Sequence, residues 1–168
     1  MNPVNTSCEL SIIIPVIGKN YISENLFYQI HDVLKSLLTH YEIFVITDHP
    51  THEISQILQN RHVEIISFSS SKYGTALQAG FDRAIGDFII VMDADQKNLT
   101  FLRYLWEARF TADVVIASRY ISGGKAHMPL LRTFFSKVLN TVFSRGLDLQ
   151  IRDMSCGIRL YKTQVIKK

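Results

Sequence analysis

A chain of 168 residues can bury a sizeable core in one domain and does not require two. With 47% apolar and 20% charged residues it has a globular balance, which excludes a disordered or fibrous chain. The net charge of +3 is unevenly spread: residues 125–168 carry nine Lys and Arg against only Asp148 and Asp153, so residues 1–124 are net acidic. A basic C-terminal third implies either a solvated basic face or an anionic partner such as phosphates, nucleic acid or a membrane surface. The N-terminus lacks the basic-then-apolar pattern of a leader, and no apolar run approaches the ~18 residues of a spanning helix, so the sequence reads as soluble. Cys8 and Cys156 form no CxxC and read as two free thiols of a reducing cytosol.

Along the chain, short β-branched runs alternate with segments of helical period. Strands are expected at 10–16 (LSIIIPV), 42–47, 63–68, 87–92 (DFIIVM) and 113–118. Between the first two, Ile22, Leu26, Ile30, Val33, Leu34, Leu37 and Leu38 trace one face of a helix. Shorter helices are expected at 51–60, opened by Thr51 as N-cap, and at 75–85 and 99–110. In 129–147 a broad apolar face flanked by Arg132, Lys137 and Arg145 suits a core helix or one lying in a membrane interface. Continuous apolar strands separated by helices predict a mostly parallel sheet covered on both faces, in which ligands gather at the carboxyl ends of the strands. Pro15, Asp48, Asp93, Asp95 and Arg119 all fall there.

The fourth strand runs straight into Asp93-Ala94-Asp95. Two hard oxygen donors without further protein ligands suit Mg²⁺ or Mn²⁺ shared with a diphosphate, although an acidic turn before a helix would look the same. Before it, in KYGTALQAGFDRAIGDFIIVMDAD (72–95), Gly80 sits inside a helical pattern at a cost of ~1 kcal/mol against Ala, which marks close packing or close ligand approach. The six histidines have no metal-ligand spacing; His49 and His52 come nearest and read as loop and helix-start residues.

The 72–95 stretch resembles the family 2 glycosyltransferases of the GT-A fold, and among them the synthases that move a sugar from a nucleotide to a dolichyl or polyprenyl phosphate (dolichyl-phosphate mannose synthase-like). The resemblance extends through SIIIPVIGKN (11–20), YEIFVITDHP (41–50), ASRY (117–120), RTFFSKVLN (132–140) and DMSCGIRLYKTQVI (153–166), the last similar to the family's D-x-x-S-G-F-R-L-Y. It implies a Rossmann-like three-layer α/β/α sandwich and one glycosyltransferase domain over 1–168, stopping short of the C-terminal extension that family members usually carry. Asp93 and Asp95 would then hold the metal, with Ala94, Pro15, Asp48, Lys72 and Arg159 at the donor. Arg119, Arg132 and Ser136 would bind the acceptor phosphate. Arg119 and Asp95 would also take part in catalysis, and Asp153 would orient Arg159 or a substrate hydroxyl.

The chain departs from the family pattern at Ile17 and Lys19, where an aromatic and an acid are usual, at Thr47-Asp48-His49-Pro50 in place of Asp-Asp-Gly-Ser, and at Lys97 in place of a Gln. The expected partners are a nucleotide sugar, a polyprenyl or dolichyl phosphate and the cytoplasmic face of a membrane, with no nucleic acid. Transfer would proceed with inversion. A non-catalytic nucleotide-sugar or lipid-phosphate binding domain is the second reading. A nucleotidyltransferase is a third, disfavoured because PVIGKN lacks a Gly-rich basic loop.

Overall fold

In the computed structural model, residues 8–18, 22–38, 40–50, 54–56, 63–68, 72–118, 153 and 156–167 are described. Six strands form one sheet: β1 (Leu10–Val16), β2 (Tyr41–Thr47), β3 (Val63–Ser67), β4 (Phe88–Val91), β5 (Val114–Ile116) and β6 (Arg159–Lys162), in the spatial order β3-β2-β1-β4-β6-β5. The first four are mutually parallel, and β6 runs antiparallel to both β4 and β5. The chain winds outward from β1 to β3, then returns to place β4 on the other flank of β1. The crevice outside the carboxyl ends at that reversal is where such sheets bind ligands.

The helices are α1 (Glu24–Leu34), α2 (Tyr73–Arg83), α3 (Thr100–Glu107) and the short α4 (Thr163–Ile166), with a further helical turn at 54–56. Alternation along the strands sorts the core into two clusters. On one face, Leu10, Ile12 and Ile14 of β1 and Ile43 and Val45 of β2 meet Phe27, Ile30 and Leu34 of α1 and Leu102, Leu105 and Trp106 of α3. On the other, Ile13, Phe44, Ile46, Ile89 and Val91 meet Ala76 of α2. The sheet is thus covered on both sides, as continuous apolar strands require. At the start of α1, Ile22 precedes the N-cap Ser23 and Phe27 follows one turn later, both buried in one cluster at the positions of a hydrophobic staple.

Gly80 allows α2 to approach the sheet closely: a Cβ there would lie 2.7 Å from Ile13 Cγ2. The costly glycine of the sequence is therefore a packing residue. At the opposite end of the sheet, Gly86 is packed against the backbone of Leu10 and Ser11, where a Cβ would meet main-chain atoms at 2.6–2.7 Å. Its amide donates to Ser11 Oγ, which in turn donates to Glu42 Oε1, and the Ile85 amide donates to that same oxygen. This chain of bonds closes the end of the sheet remote from the crevice.

Two expectations are corrected. The segment 159–162 is a strand, which its sequence does not announce: it is four residues long, and only Leu160 is buried. The helix expected at 75–85 begins two residues earlier, at Tyr73, with Lys72 as N-cap. The helices at 51–60 and 129–147, with Thr51 as cap, lie wholly or mostly outside the described residues. Both cysteines are free, with Cys156 buried, and no described helix is long and apolar enough to cross a membrane.

Candidate active site

At the carboxyl end of the sheet, four neighbouring strands each bring a residue to the crevice: Asp48 after β2, Pro15 in β1, Asp93 after β4, and Arg159 at the start of the antiparallel β6, paired with Val91. At ~4.8 Å per strand spacing they span about 14 Å. Pro15 is tolerated in a central strand for a local reason. Ile13 accepts the Met92 amide, so Ile13 and, two residues on, Pro15 turn their main-chain groups toward the β4 side. The β1–β4 ladder ends at Ile13, so the missing donor of Pro15 falls beyond it.

Asp48 is built into the loop after β1. Gly18, at φ +74°, turns its amide to donate to Asp48 Oδ1 at 3.0 Å, and His49 Nδ1 lies 3.1 Å from the same oxygen. The left-handed conformation at 18 suits a glycine. The Gly18 amide, with His49 second, holds the Asp48 carboxyl below its ordinary range. The side chain is only 4% exposed, yet its Oδ2 has no hydrogen-bond partner among the described residues. A buried carboxylate oxygen without a donor is costly unless a ligand supplies one. Of this carboxylate, one oxygen ties the loop after β2 to the loop after β1, and the other has no donor among the described residues.

Asp93 is half-buried and Ala94 packs against the core, while Asp95 is exposed and accepts a hydrogen bond from Gln96. Gly157 backs Asp93: a Cβ there would stand 3.2 Å from Asp93 Oδ2. The turn carrying Gly157 is fixed by its neighbours. Cys156 Sγ donates to the Ala117 carbonyl at 3.0 Å, the Ala117 amide donates to the Ile158 carbonyl, and Arg159 Nε donates to the Cys156 carbonyl at 2.8 Å. Asp153 is 1% exposed, and its carbonyl accepts the Cys156 amide. So deep a carboxylate suits a residue that orients its neighbours.

Of the residues singled out in the sequence, the fold sets Asp48, Pro15, Asp93 and Arg159 at the ends of four adjacent strands, with Asp93 and Arg159 on neighbouring strands β4 and β6. Lys72 is exposed at the head of α2. Lys97 lies on the α1 side of its loop, lining a groove of about 770 Å³ with Tyr28, Asp32, Lys35 and Asn98. Arg119, Arg132 and Ser136 lie outside the described residues. Two residues were given no role from the sequence: Gly157, which stands at the glycine of the D-x-x-S-G-F-R-L-Y pattern, and Tyr73, whose phenol feels the charges of both Asp93 and Arg159. What each does rests on a contact distant in sequence.

The paired carboxylates fit a divalent cation of the Mg²⁺ or Mn²⁺ type. Both are hard oxygen donors, and the glycine at 157 avoids a Cβ that would stand 3.2 Å from Asp93 Oδ2. Among the described residues no third His, Cys, Asp or Glu joins them. Such an ion would take its other ligands from phosphate oxygens and water.

A family model described as glycosyl transferase family 2 matches residues 11–168, and the chain belongs to that family. It is 29% identical to an undecaprenyl-phosphate 4-deoxy-4-formamido-L-arabinose transferase of Pseudomonas fluorescens, over 99% of this chain and 50% of that protein. It is 36% identical to a dolichol-phosphate mannosyltransferase of Pyrococcus furiosus, over 77% of this chain and 38% of that protein. The chain thus spans half or less of the length of these relatives. In structure it is similar to mannosyl-3-phosphoglycerate synthase from Rubrobacter xylanophilus, with a TM-score of 0.70 at 14% identity, covering 94% of this chain and 54% of that one. It is also similar to glucosyl-3-phosphoglycerate synthase from Mycobacterium tuberculosis, solved with Mn²⁺ and uridine diphosphate, with a TM-score of 0.66 at 14% identity, covering 94% and 58%. The architecture is therefore the GT-A fold expected from the sequence.

Proposed function

We propose that the protein is a glycosyltransferase that moves a sugar from a nucleotide donor to a polyprenyl or dolichyl phosphate, at the cytoplasmic face of a membrane. The observation that carries this reading is the row of Asp48, Pro15, Asp93 and Arg159 across four adjacent strand ends, which suits a base and ribose at one end and a diphosphate at the other. The names of the Pseudomonas and Pyrococcus relatives support the lipid-phosphate acceptor.

Asp48 Oδ2 takes a donor from the base or ribose, and Pro15 lines the floor beside it. Asp93 and Asp95 hold the divalent ion, which when bound supplies positive charge against the donor diphosphate. Arg159, held by the Cys156 carbonyl, brings its guanidinium to the same phosphates. Lys72 and Ala94 line the donor side. Arg119, Arg132 and Ser136 receive the acceptor phosphate, and Arg119 and Asp95 also take part in catalysis. An acceptor phosphate oxygen is already ionised near neutral pH, so it attacks the anomeric carbon without a general base. The new carbon–oxygen bond forms opposite the one that breaks, the configuration inverts, and the nucleoside diphosphate leaves with the bonding pair. Asp153 orients Arg159.

The test is turnover. Protein incubated with Mn²⁺, a panel of nucleotide sugars and undecaprenyl or dolichyl phosphate should yield a lipid-linked sugar, and Asp95→Ala should abolish it. Nucleotide binding without turnover on any donor would favour a non-catalytic binding domain.

A further inference from the structure

We propose that Tyr73 is a donor-site residue, its phenol donating a hydrogen bond to the diphosphate of the nucleotide sugar between Asp93 and Arg159. This rests on the donor-site reading above. The inference begins with the placement of α2, which links β3 to the parallel β4 and so starts at the carboxyl ends of the strands. Residues 73, 76, 77 and 80 lie on one face of that helix. Ala76 is fully buried against the sheet in the same cluster as Val91, and Gly80 lies on Ile13. Tyr73 continues the stripe by one turn, past the last residue of β4. Ala76 has sheet beneath it; Tyr73, one turn nearer the carboxyl ends of the strands, is 44% exposed and within reach of the charge of Asp93.

The neighbouring edge of this space is set by β6. Arg159 pairs with Val91 and Tyr161 with Ile89, and the Tyr161 ring packs edge-on against Phe81 of α2 at 5.7 Å. Helix α2 and strand β6 therefore enclose Asp93 from two sides, with Tyr73 and Arg159 as their residues nearest the crevice. Besides partial burial, the groups that influence the Tyr73 phenol are Asp93, Tyr161 and Arg159, so it stands within reach of both the carboxylate and the guanidinium. An ordinary tyrosine hydroxyl carries its proton at neutral pH and is a donor. A neutral O–H beside a guanidinium adds a directed bond to a phosphate oxygen without adding charge.

The experiment is calorimetric titration of the full chain, with Mn²⁺, using uridine and guanosine di- and monophosphates on wild type, Tyr73→Phe and Tyr73→Ala. Tyr73→Phe keeps the ring and removes only the hydroxyl. It should weaken diphosphate binding about five- to tenfold, leave monophosphate binding within twofold, and leave Tm unchanged. Tyr73→Ala should show the same selective loss. Wild-type binding of a diphosphate with an unchanged Tyr73→Phe affinity would overturn the role of Tyr73 alone. Equal losses for mono- and diphosphate would also overturn it, since the phenol would then act on the nucleoside. A wild-type protein that binds no nucleoside diphosphate would overturn the donor-site reading and this role with it.

Discussion

For Asp48, the fold role of one carboxylate oxygen and the ligand role proposed for the other can be separated. Asp48→Asn keeps an oxygen for the Gly18 amide but removes the charge. Nucleoside diphosphate binding should weaken about tenfold, as expected when a hydrogen bond to a charged group is lost. Because the folded carboxyl is held below its ordinary value, its ionised form favours the native state. The contribution is fully present above the unfolded value near 3.8 and is lost as pH falls through the lower folded value. The difference in urea midpoint between wild type and Asp48→Asn should therefore be flat from about pH 7 to 5 and shrink only below about pH 4. A difference that already shrank between about pH 7 and 5 would contradict this role of the Asp48 carboxylate.

Among the elements, Gly80 and Gly86 of the 72–95 segment make a paired prediction. Gly80→Ala regains ~1 kcal/mol of helix propensity but must displace the side chain of Ile13, an overpacking of about 1–3 kcal/mol, for a net loss of about 1 kcal/mol. Gly86→Ala meets the main chain of Leu10 and Ser11, which cannot rotate away, and should cost about 3 kcal/mol. Urea denaturation of both variants checks the order; a Gly80→Ala loss equal to or larger than that of Gly86→Ala would contradict it. The same segment shows why some elements were legible. β1, β2 and β4 are continuous apolar runs buried on both faces, so composition alone marks them. β6 is not, because Arg159, Tyr161 and Lys162 are strand residues only through their pairing with β4 and β5. Its antiparallel direction is what brings Arg159 to the crevice.

For the whole molecule, a ligand that binds only the native state raises stability by RT ln(1 + [L]/Kd), about 2.7 kcal/mol at a hundredfold excess over Kd. For a chain of this size that is roughly 5–11 °C in Tm. A nucleoside diphosphate with Mn²⁺ should produce such a shift, read by thermal denaturation. Asp93→Ala should abolish the part that depends on the metal; a full shift without Mn²⁺ would remove the two carboxylates from that role. What the amino-acid order determined by itself was the alternation of buried strands and covering helices, and with it a parallel sheet whose functional residues collect at strand ends. Local patterns suffice there, because burial on two faces and helical period are properties of neighbouring residues. Only the tertiary structure decided that Gly80 serves packing, that Gly157 backs Asp93, that one Asp48 oxygen has no partner among the described residues, and that Tyr73 comes within reach of the charges of Asp93 and Arg159. Each of these is a contact between segments distant in the chain, set by the return of β4 beside β1 and the reversed direction of β6.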